Sequence, residues 1–451
     1  MNPADLGLAE AGAALRSGTL TSVALLDAVL ARIAVREPEL RAFVTVYEET
    51  ARQAAAEADA ALAAGVDRGP LHGLPIAIKD LIDVAGDVTR CGSRVNRGGV
   101  ASADAEVVRR LRAQGAIILG KVQTYEFAVV GPDFKLPLPP ARNPWNRGHI
   151  TGGSSSGSAA AVAGGLVRAA LGTDTGGSIR SPSSYCGAVG LKPTHGLVPE
   201  AGVFPLAPSL DVVGPLAASV ADAALVLEAI SGQPVRSEIG LPLDGLRIGY
   251  ARNWFATDPN TDPGVLAAID AAASTLSLLG ARIGEVTLPD YGLFEAAGAV
   301  VLHAEAYEVH HALMAAQPDS YGRLSYQSVM SGMMLTPDDV ALARRAGEAL
   351  TEDLLAAMAP FDALLTVGTM STALPFSAFD GESVVWTHMR TLPFNVTGQP
   401  VLALPAGFKD GLPIGLQLVA RRGAEARLCR IGHAFEQATD HSAQRPDLPG
   451  P

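Results

Sequence analysis

One lysine and two serines have the residue types and spacing for nucleophilic catalysis. Lys79 closes the apolar run "LPIAIK". Ser154 ends a Gly-Gly-Ser unit 75 residues later, and Ser178 ends a second such unit 24 residues after that. A serine hydroxyl is a weak nucleophile and must pass its proton to a base as it attacks. A lysine at the end of an apolar strand can be that base, because burial disfavours the ammonium and lowers its pKa toward neutrality. The bland alternative is a strand-end lysine that reaches out to solvent.

The first serine unit, "TGGSSSGSAAA", admits three readings. A phosphate-binding loop needs a Gly-Lys-Ser/Thr sequence, and no lysine lies between Gly152 and Leu191. A nucleophile elbow is formally present as G-x-S-x-G over residues 153–157, with Ser155 attacking, but it requires a strand ending just before Gly153. The preceding "PWNRGHIT" is a poor buried strand. The third reading is a plain Gly/Ser turn with no chemistry.

The elements that must hold these residues follow from periodicity. From "SVALLDAVLARI" to "ARQAAAEADAALAAG" apolar residues recur at helical spacing, with Thr21 or Ser22 placed to cap the first helix. Residues 1–65 therefore read as a helical N-terminal arm. Then come the strand-like "LPIAIK", the helix-like "DAEVVRRLRAQG" and the strand-like "AIILGK". The alternation returns after residue 240 with "LRIGYA", "PGVLAAIDAAASTLSLLG" and "ARIGEVTL". Strand, helix and strand in succession predict a largely parallel sheet covered by helices. No low-complexity linker divides the halves, so the expectation is a single domain over 1–451 with the arm packed on it. Residues 131–149 carry five prolines and predict a long ordered loop beside a pocket.

Composition narrows the partners. Hydrophobic residues make up 48% of the chain and charged residues 18%, with a formal net charge of −12. No Lys/Arg cluster is present to face nucleic acid or an anionic membrane. Cys91, Cys186 and Cys429 lie far apart with no C-x-x-C spacing, which suggests neither a disulfide framework nor a zinc site. The acidic N-terminus and the lack of a long apolar stretch predict a soluble cytoplasmic protein.

Beyond these local readings, the chain resembles the amidase signature family of serine hydrolases. The resemblance is carried by "GPLHGLPIAIKD", "LRAQGAIILGK", "NPWN", "TGGSSSGSAAAVAGG", "ALGTDTGGSIRSPSSYCGAVGLKPT" and "FNVTGQPVLALPAGFKDGLPIGLQLVA", over most of residues 15–435. It implies an α/β fold with a large mixed, mostly parallel sheet sandwiched between helices. It also implies a Ser-cisSer-Lys triad of Ser178 as nucleophile, Ser154 after a cis Gly153–Ser154 bond, and Lys79. Gly176 and Gly177 would let the N–H groups of Thr175, Gly176, Gly177 and Ser178 converge as an oxyanion hole. The implied reaction is hydrolysis of an acyl C–N bond through an acyl-enzyme, without metal or organic cofactor.

Substrate choice depends on the pocket. Tyr125 and Ala128, in the atypical "VQTYEFAVVGPDFKLPLPP" of residues 122–140, are expected to line it. With the apolar or small residues of "EAGVFPLAPSLD" and "TVGTMSTALPFSAFDGESVVW", they point to a neutral, partly hydrophobic amide, anilide or carbamate (urethane), with esters also within reach. A homodimer is compatible with this reading. The alternative is the glutaminase subunit of a tRNA-dependent amidotransferase, against which the 122–140 segment and the acidic charge speak. Arg180 reads as a structural ion-pair residue, Cys186 as small buried packing, and His303, His310 and His311 as part of a helix beside a pocket.

Overall fold

The computed structural model describes residues 2–379 and 381–450. Its strands are β1 (Phe43–Val46), β2 (Pro75–Lys79), β3 (Ile117–Val122), β4 (Ala169–Thr173), β5 (Val189–Lys192), β6 (Val213–Ala217), β7 (Arg247–Tyr250), β8 (Arg282–Glu285), β9 (Ala363–Val367), β10 (Val401–Lys409) and β11 (Leu412–Val419). All join one 11-stranded sheet in the order β1-β3-β2-β4-β6-β5-β10-β11-β9-β7-β8.

The sheet is mixed, as expected, but its parallel share is smaller than the strand–helix alternation implies. Parallel pairing is confined to β3-β2-β4 and β9-β7-β8. The middle, from β4 through β6, β5, β10 and β11 to β9, is antiparallel. The reason is local to that middle: β10 and β11 form a hairpin closed by Asp410-Gly411, which forces opposite strand directions. Strands β2, β4, β6 and β9 are buried along their whole length, which explains why they read as continuous apolar runs.

The N-terminal arm departs from the all-helical expectation. Helices α1 (Leu8–Arg16), α2 (Ser22–Leu40) and α3 (Glu48–Ala63) are present, but "FVTV" between the last two forms β1 and pairs antiparallel with β3. Its residues are all β-branched or aromatic and lie at an open sheet edge, where pairing wins over helix continuation. Thr21 caps α2, its hydroxyl accepting the Ala24 N–H. Arg41, at φ +52°, turns the chain out of the helix.

Helices cover both faces. On one side α1, α4 (Glu106–Ala113), α7 (Val220–Ser231) and α8 (Pro263–Leu278) pack on Ile76, Ile78 and Leu171. On the other, α2, α3 and α5 (Ser156–Ala163) pack on Ala77, Ile117 and Leu119. Successive strand side chains face opposite ways, so β2 presents isoleucines to one layer and Ala77 to the other. Lys79 shares the parity of Ala77, the side on which α5 begins.

Candidate active site

Lys79 ends β2 between β3 and β4, fully buried. Its Nζ donates to Ser154 Oγ at 2.8 Å and to Thr173 Oγ1 at 2.7 Å. Burial lowers its pKa to about 7, against the opposing pull of the Asp174 and Asp211 carboxylates. The lysine is therefore turned inward onto a serine, and the solvent-facing alternative does not apply.

Ser154 follows a cis Gly153–Ser154 peptide bond. A side chain at Gly153 would collide with the Tyr125 ring, since a Cβ there would come within 2.2 Å of it. Tyr125 lies close enough on this turn that its own N–H donates to the Ser154 carbonyl at 3.0 Å. Ser155, by contrast, is fully buried and bonded to the backbone of Thr173, its Oγ donating to the carbonyl at 3.2 Å. A hydroxyl held inside the sheet this way is poorly placed to attack, and the elbow reading loses its nucleophile.

The second Gly-Gly-Ser unit is folded by Asp174, a residue that no motif read from the sequence marks out. Its carboxylate accepts N–H groups from Gly177 at 2.9 Å and Ile179 at 3.0 Å. It also accepts two from the Arg180 guanidinium, at 3.0 and 2.8 Å, and the Asn395 amide at 2.9 Å. Burial alone would raise its pKa, but the Arg180 charge and hydrogen bonds, then Lys192 and Asn395, hold the carboxyl well below the usual carboxylate range. Gly177 sits at φ +134°, where a Cβ would meet Thr391 Oγ1 at 2.4 Å, so glycine is required.

This wrapping alters the expected oxyanion set. The Gly177 N–H is committed inward to Asp174. Among the described residues, the N–H groups of Thr175, Gly176 and Ser178 have no acceptor. Ser178 is half-buried and accepts the Ser155 N–H through its carbonyl at 3.2 Å. Its hydroxyl makes no hydrogen bond to a described residue, so the Ser178–Ser154 contact expected of a relay is not closed here. Catalytic hydrogen bonds commonly tighten only once substrate is bound.

Ser154, Thr175, Gly176, Gly177 and Ser178 share one cavity of about 100 Å³ with Tyr125 and Ala128. Of the 122–140 segment, only residues 125 and 128–131 reach it. Pro132, Leu136, Leu138 and Pro140 line a different cavity beside Gln123. Leu206, Leu302 and Trp386 complete a largely apolar wall, with no ionisable side chain among the described residues except Tyr125. Asp380, within one of the segments expected at the pocket, lies outside the described residues. A larger cavity of about 940 Å³ adjoins the first and shares Gly176, Leu302, Trp386, Thr387 and Met389 with it.

The remaining candidates take structural places. Arg180 is fully buried, paired with Asp174 and donating to the Thr391 carbonyl at 2.7 Å and Gln417 Oε1 at 3.0 Å. Removing one partner of such a buried pair costs about 3–5 kcal/mol. Arg180→Ala should lower the unfolding free energy by that amount in urea titration, and a variant of unchanged stability would show that the pair is no clamp. On α9 (Tyr291–Ala316), His303 lines the larger cavity, His310 is buried against the Tyr321 hydroxyl at 2.9 Å, and His311 is exposed. Cys186 is buried, with Sγ 3.4 Å from the Thr151 carbonyl. Among the described residues no helix is long and apolar enough to cross a membrane.

A family model described as Amidase matches residues 24–429. The chain is 39% identical over 483 aligned residues to a glutamyl-tRNA(Gln) amidotransferase subunit of Roseiflexus sp. (strain RS-1), covering 99% of each. It is 34% identical, at a TM-score of 0.89 and covering 96% of this chain and 98% of the other, to a solved chain from an unexpected vestigial protein complex that reveals the evolutionary origins of an s-triazine catabolic enzyme. It also superposes on the native peptide amidase of Stenotrophomonas maltophilia at a TM-score of 0.85, with 31% identity over 99% of both chains.

Proposed function

The chain belongs to the amidase signature family, and from that premise we propose that it hydrolyses a neutral, partly apolar amide by way of an acyl-enzyme on Ser178. In this reading Lys79, as the neutral amine, accepts through the Ser154 hydroxyl the proton that Ser178 Oγ gives up as it attacks the carbonyl carbon. The negative charge developing on the carbonyl oxygen is met by the N–H groups of Thr175, Gly176 and Ser178, and one such donor is typically worth about 3 kcal/mol of transition-state stabilisation. Collapse breaks the C–N bond. The amine leaves with the proton returned along the same chain, and water then releases the acid by the same steps.

The observation that carries the neutral-substrate reading is the wall of the reactive cavity, which among the described residues has no acidic or basic side chain apart from the Tyr125 phenol. A substrate charged close to its scissile bond would lose hydration there without gaining a partner on that wall, the charged side chains lying in the adjoining larger cavity, at Glu295 and Arg390 among others. Free glutamine is such a substrate, with an ammonium and a carboxylate on a carbon three bonds from the reacting carbonyl.

A second reading has its own support. The curated relatives are named as amidotransferase subunits, and 39% identity over 99% of both chains weighs more for a glutaminase subunit than the 122–140 segment and the net charge weigh against it. In that reading the same serine and lysine would release ammonia for partner chains.

Turnover of the purified chain on neutral amides, anilides, carbamates and esters, measured beside glutamine, separates the two. The neutral-amide reading expects kcat/KM on the best neutral amide to exceed that on glutamine by tenfold or more, about 1.4 kcal/mol of discrimination. Preference for glutamine, or activity only with amidotransferase partner subunits, overturns it in favour of the second.

A further inference from the structure

Next to the reactive cavity, and sharing Ala128, Thr175 and Leu206 with it, lies a separate cavity of about 220 Å³. Thr173, whose hydroxyl accepts the second N–H of Lys79, lines it, and so do Glu200 and Asp211. Asp211 is buried. One carboxyl oxygen accepts the Thr175 hydroxyl at 2.5 Å, and the other accepts the N–H groups of Leu206 at 2.8 Å and Ala207 at 3.1 Å. The carboxyl of Glu200 accepts no hydrogen bond from a described residue.

The charges around Lys79 sort into spent and unspent ones. On the neighbouring strand β3, Lys121 is paired with Asp80 at 3.0 Å. Asp174, at the end of β4, is committed to Arg180. The Cys91 thiol is pushed up to about 12 by burial and stays neutral. Asp211 and Glu200 are the carboxyls of this neighbourhood without a cation of their own among the described residues.

We propose that Asp211 is a positioning residue for the reaction, holding the Thr175 turn and supplying, with Glu200 across the same cavity, the counter-charge that decides when Lys79 carries a proton. This rests on the reading of Lys79 as the base. Both carboxyls line one small cavity, and the Asp211 charge opposes ionisation of Glu200. Burial pushes Asp211 up to about 6, and burial together with the Asp211 charge pushes Glu200 up to about 8. The member that holds the negative charge is Asp211, because three donors stabilise its carboxylate and none among the described residues stabilises that of Glu200. That charge favours the ammonium form of Lys79 and offsets part of what burial takes away. No atom is gained or lost by the device: a proton that leaves Lys79 Nζ goes to solvent, to the substrate amine by way of Ser154, or to a carboxylate of the pair.

The test is the pH profile of kcat/KM on one amide, together with the thermal unfolding midpoint of each variant. Asp211→Asn removes the counter-charge, so the rising limb should move to lower pH by about half a unit or more. The double variant Asp211→Asn/Glu200→Gln should move it at least as far, since Glu200 can no longer take over the charge. Should Asp211→Asn fail to fold, the isosteric Thr175→Val carries the test. It removes the hydroxyl that stabilises the carboxylate, and should move the limb the same way by less. Folded variants whose limb stays at the wild-type pH, even with reduced kcat or stability, would reduce Asp211 to a structural role and overturn the inference. That outcome is distinct from failure of the base assignment, which would appear as a limb that survives Lys79→Ala.

Discussion

Ser178→Ala should lose covalent labelling by a fluorophosphonate or sulfonyl fluoride and lose at least about 10⁴-fold in amide turnover, the scale on which serine nucleophiles contribute. The fold should survive. The Ser178 hydroxyl makes no hydrogen bond to a described residue, so its removal orphans no buried partner, and Asp174 still holds the turn through the Gly177 and Ile179 N–H groups. Mass spectrometry of the labelled wild type should place the adduct on the peptide containing Ser178. An adduct on Ser155 that persists in Ser178→Ala would instead vindicate the nucleophile elbow, and would require Ser155 to leave its bond to Thr173 at the buried start of α5. The residual activity of Ser178→Ala is informative in itself, because the oxyanion donors and the cavity remain and still accelerate water attack by about 10³–10⁴ over solution.

What could be read from the chain depended on how local its cause was. Lys79 at the end of the strand "LPIAIK" and the helix cap at Thr21, one of the two residues the sequence offers for it, rest on a few neighbouring residues. The antiparallel centre of the sheet was not legible. It depends on β10 returning beside β5 from more than two hundred residues away, and strand–helix alternation carries no information about that pairing. Asp174 was hidden for the same reason: half of what makes it a hub, Asn395 and the Thr391–Gln417 frame around Arg180, is supplied from the far end of the chain. Its place two residues ahead of Gly-Gly, where an Asp side chain can hold the backbone of a turn, was the available signal. Glu200 and Asp211 bracket a segment that reads as apolar on average, and only folding brings both carboxyls to the cavity beside Lys79. The commitment of the Gly177 amide to Asp174 was likewise invisible, since a run of glycines does not say which N–H faces in.

Lys79→Ala should slow an amide by about 10²–10⁴-fold, the usual contribution of a positioned acid–base group, and slow an activated ester far less. The asymmetry follows from the leaving groups. An amine cannot depart as its anion and needs the proton that Lys79 received, whereas a phenolate departs without one. The pH dependence has a definite sign. Only the neutral amine can accept a proton, so wild-type kcat/KM should rise with pH through the free-enzyme pKa and level off above it. Burial brings that pKa down from an ordinary lysine's to about 7 even though Asp174 and Asp211 pull it upward, so the limb belongs at neutral rather than strongly alkaline pH. Lys79→Arg should not restore activity, because a guanidinium stays protonated throughout the range and cannot serve as the base. Amide and ester turnover of the wild type, Lys79→Ala and Lys79→Arg across pH decide the matter. A Lys79→Ala profile with the wild-type limb in place would mean that the proton of Ser178 goes elsewhere and that the buried lysine serves only to hold Ser154 and Thr173 together; equal losses on amide and ester would remove Lys79 only from protonation of the leaving amine.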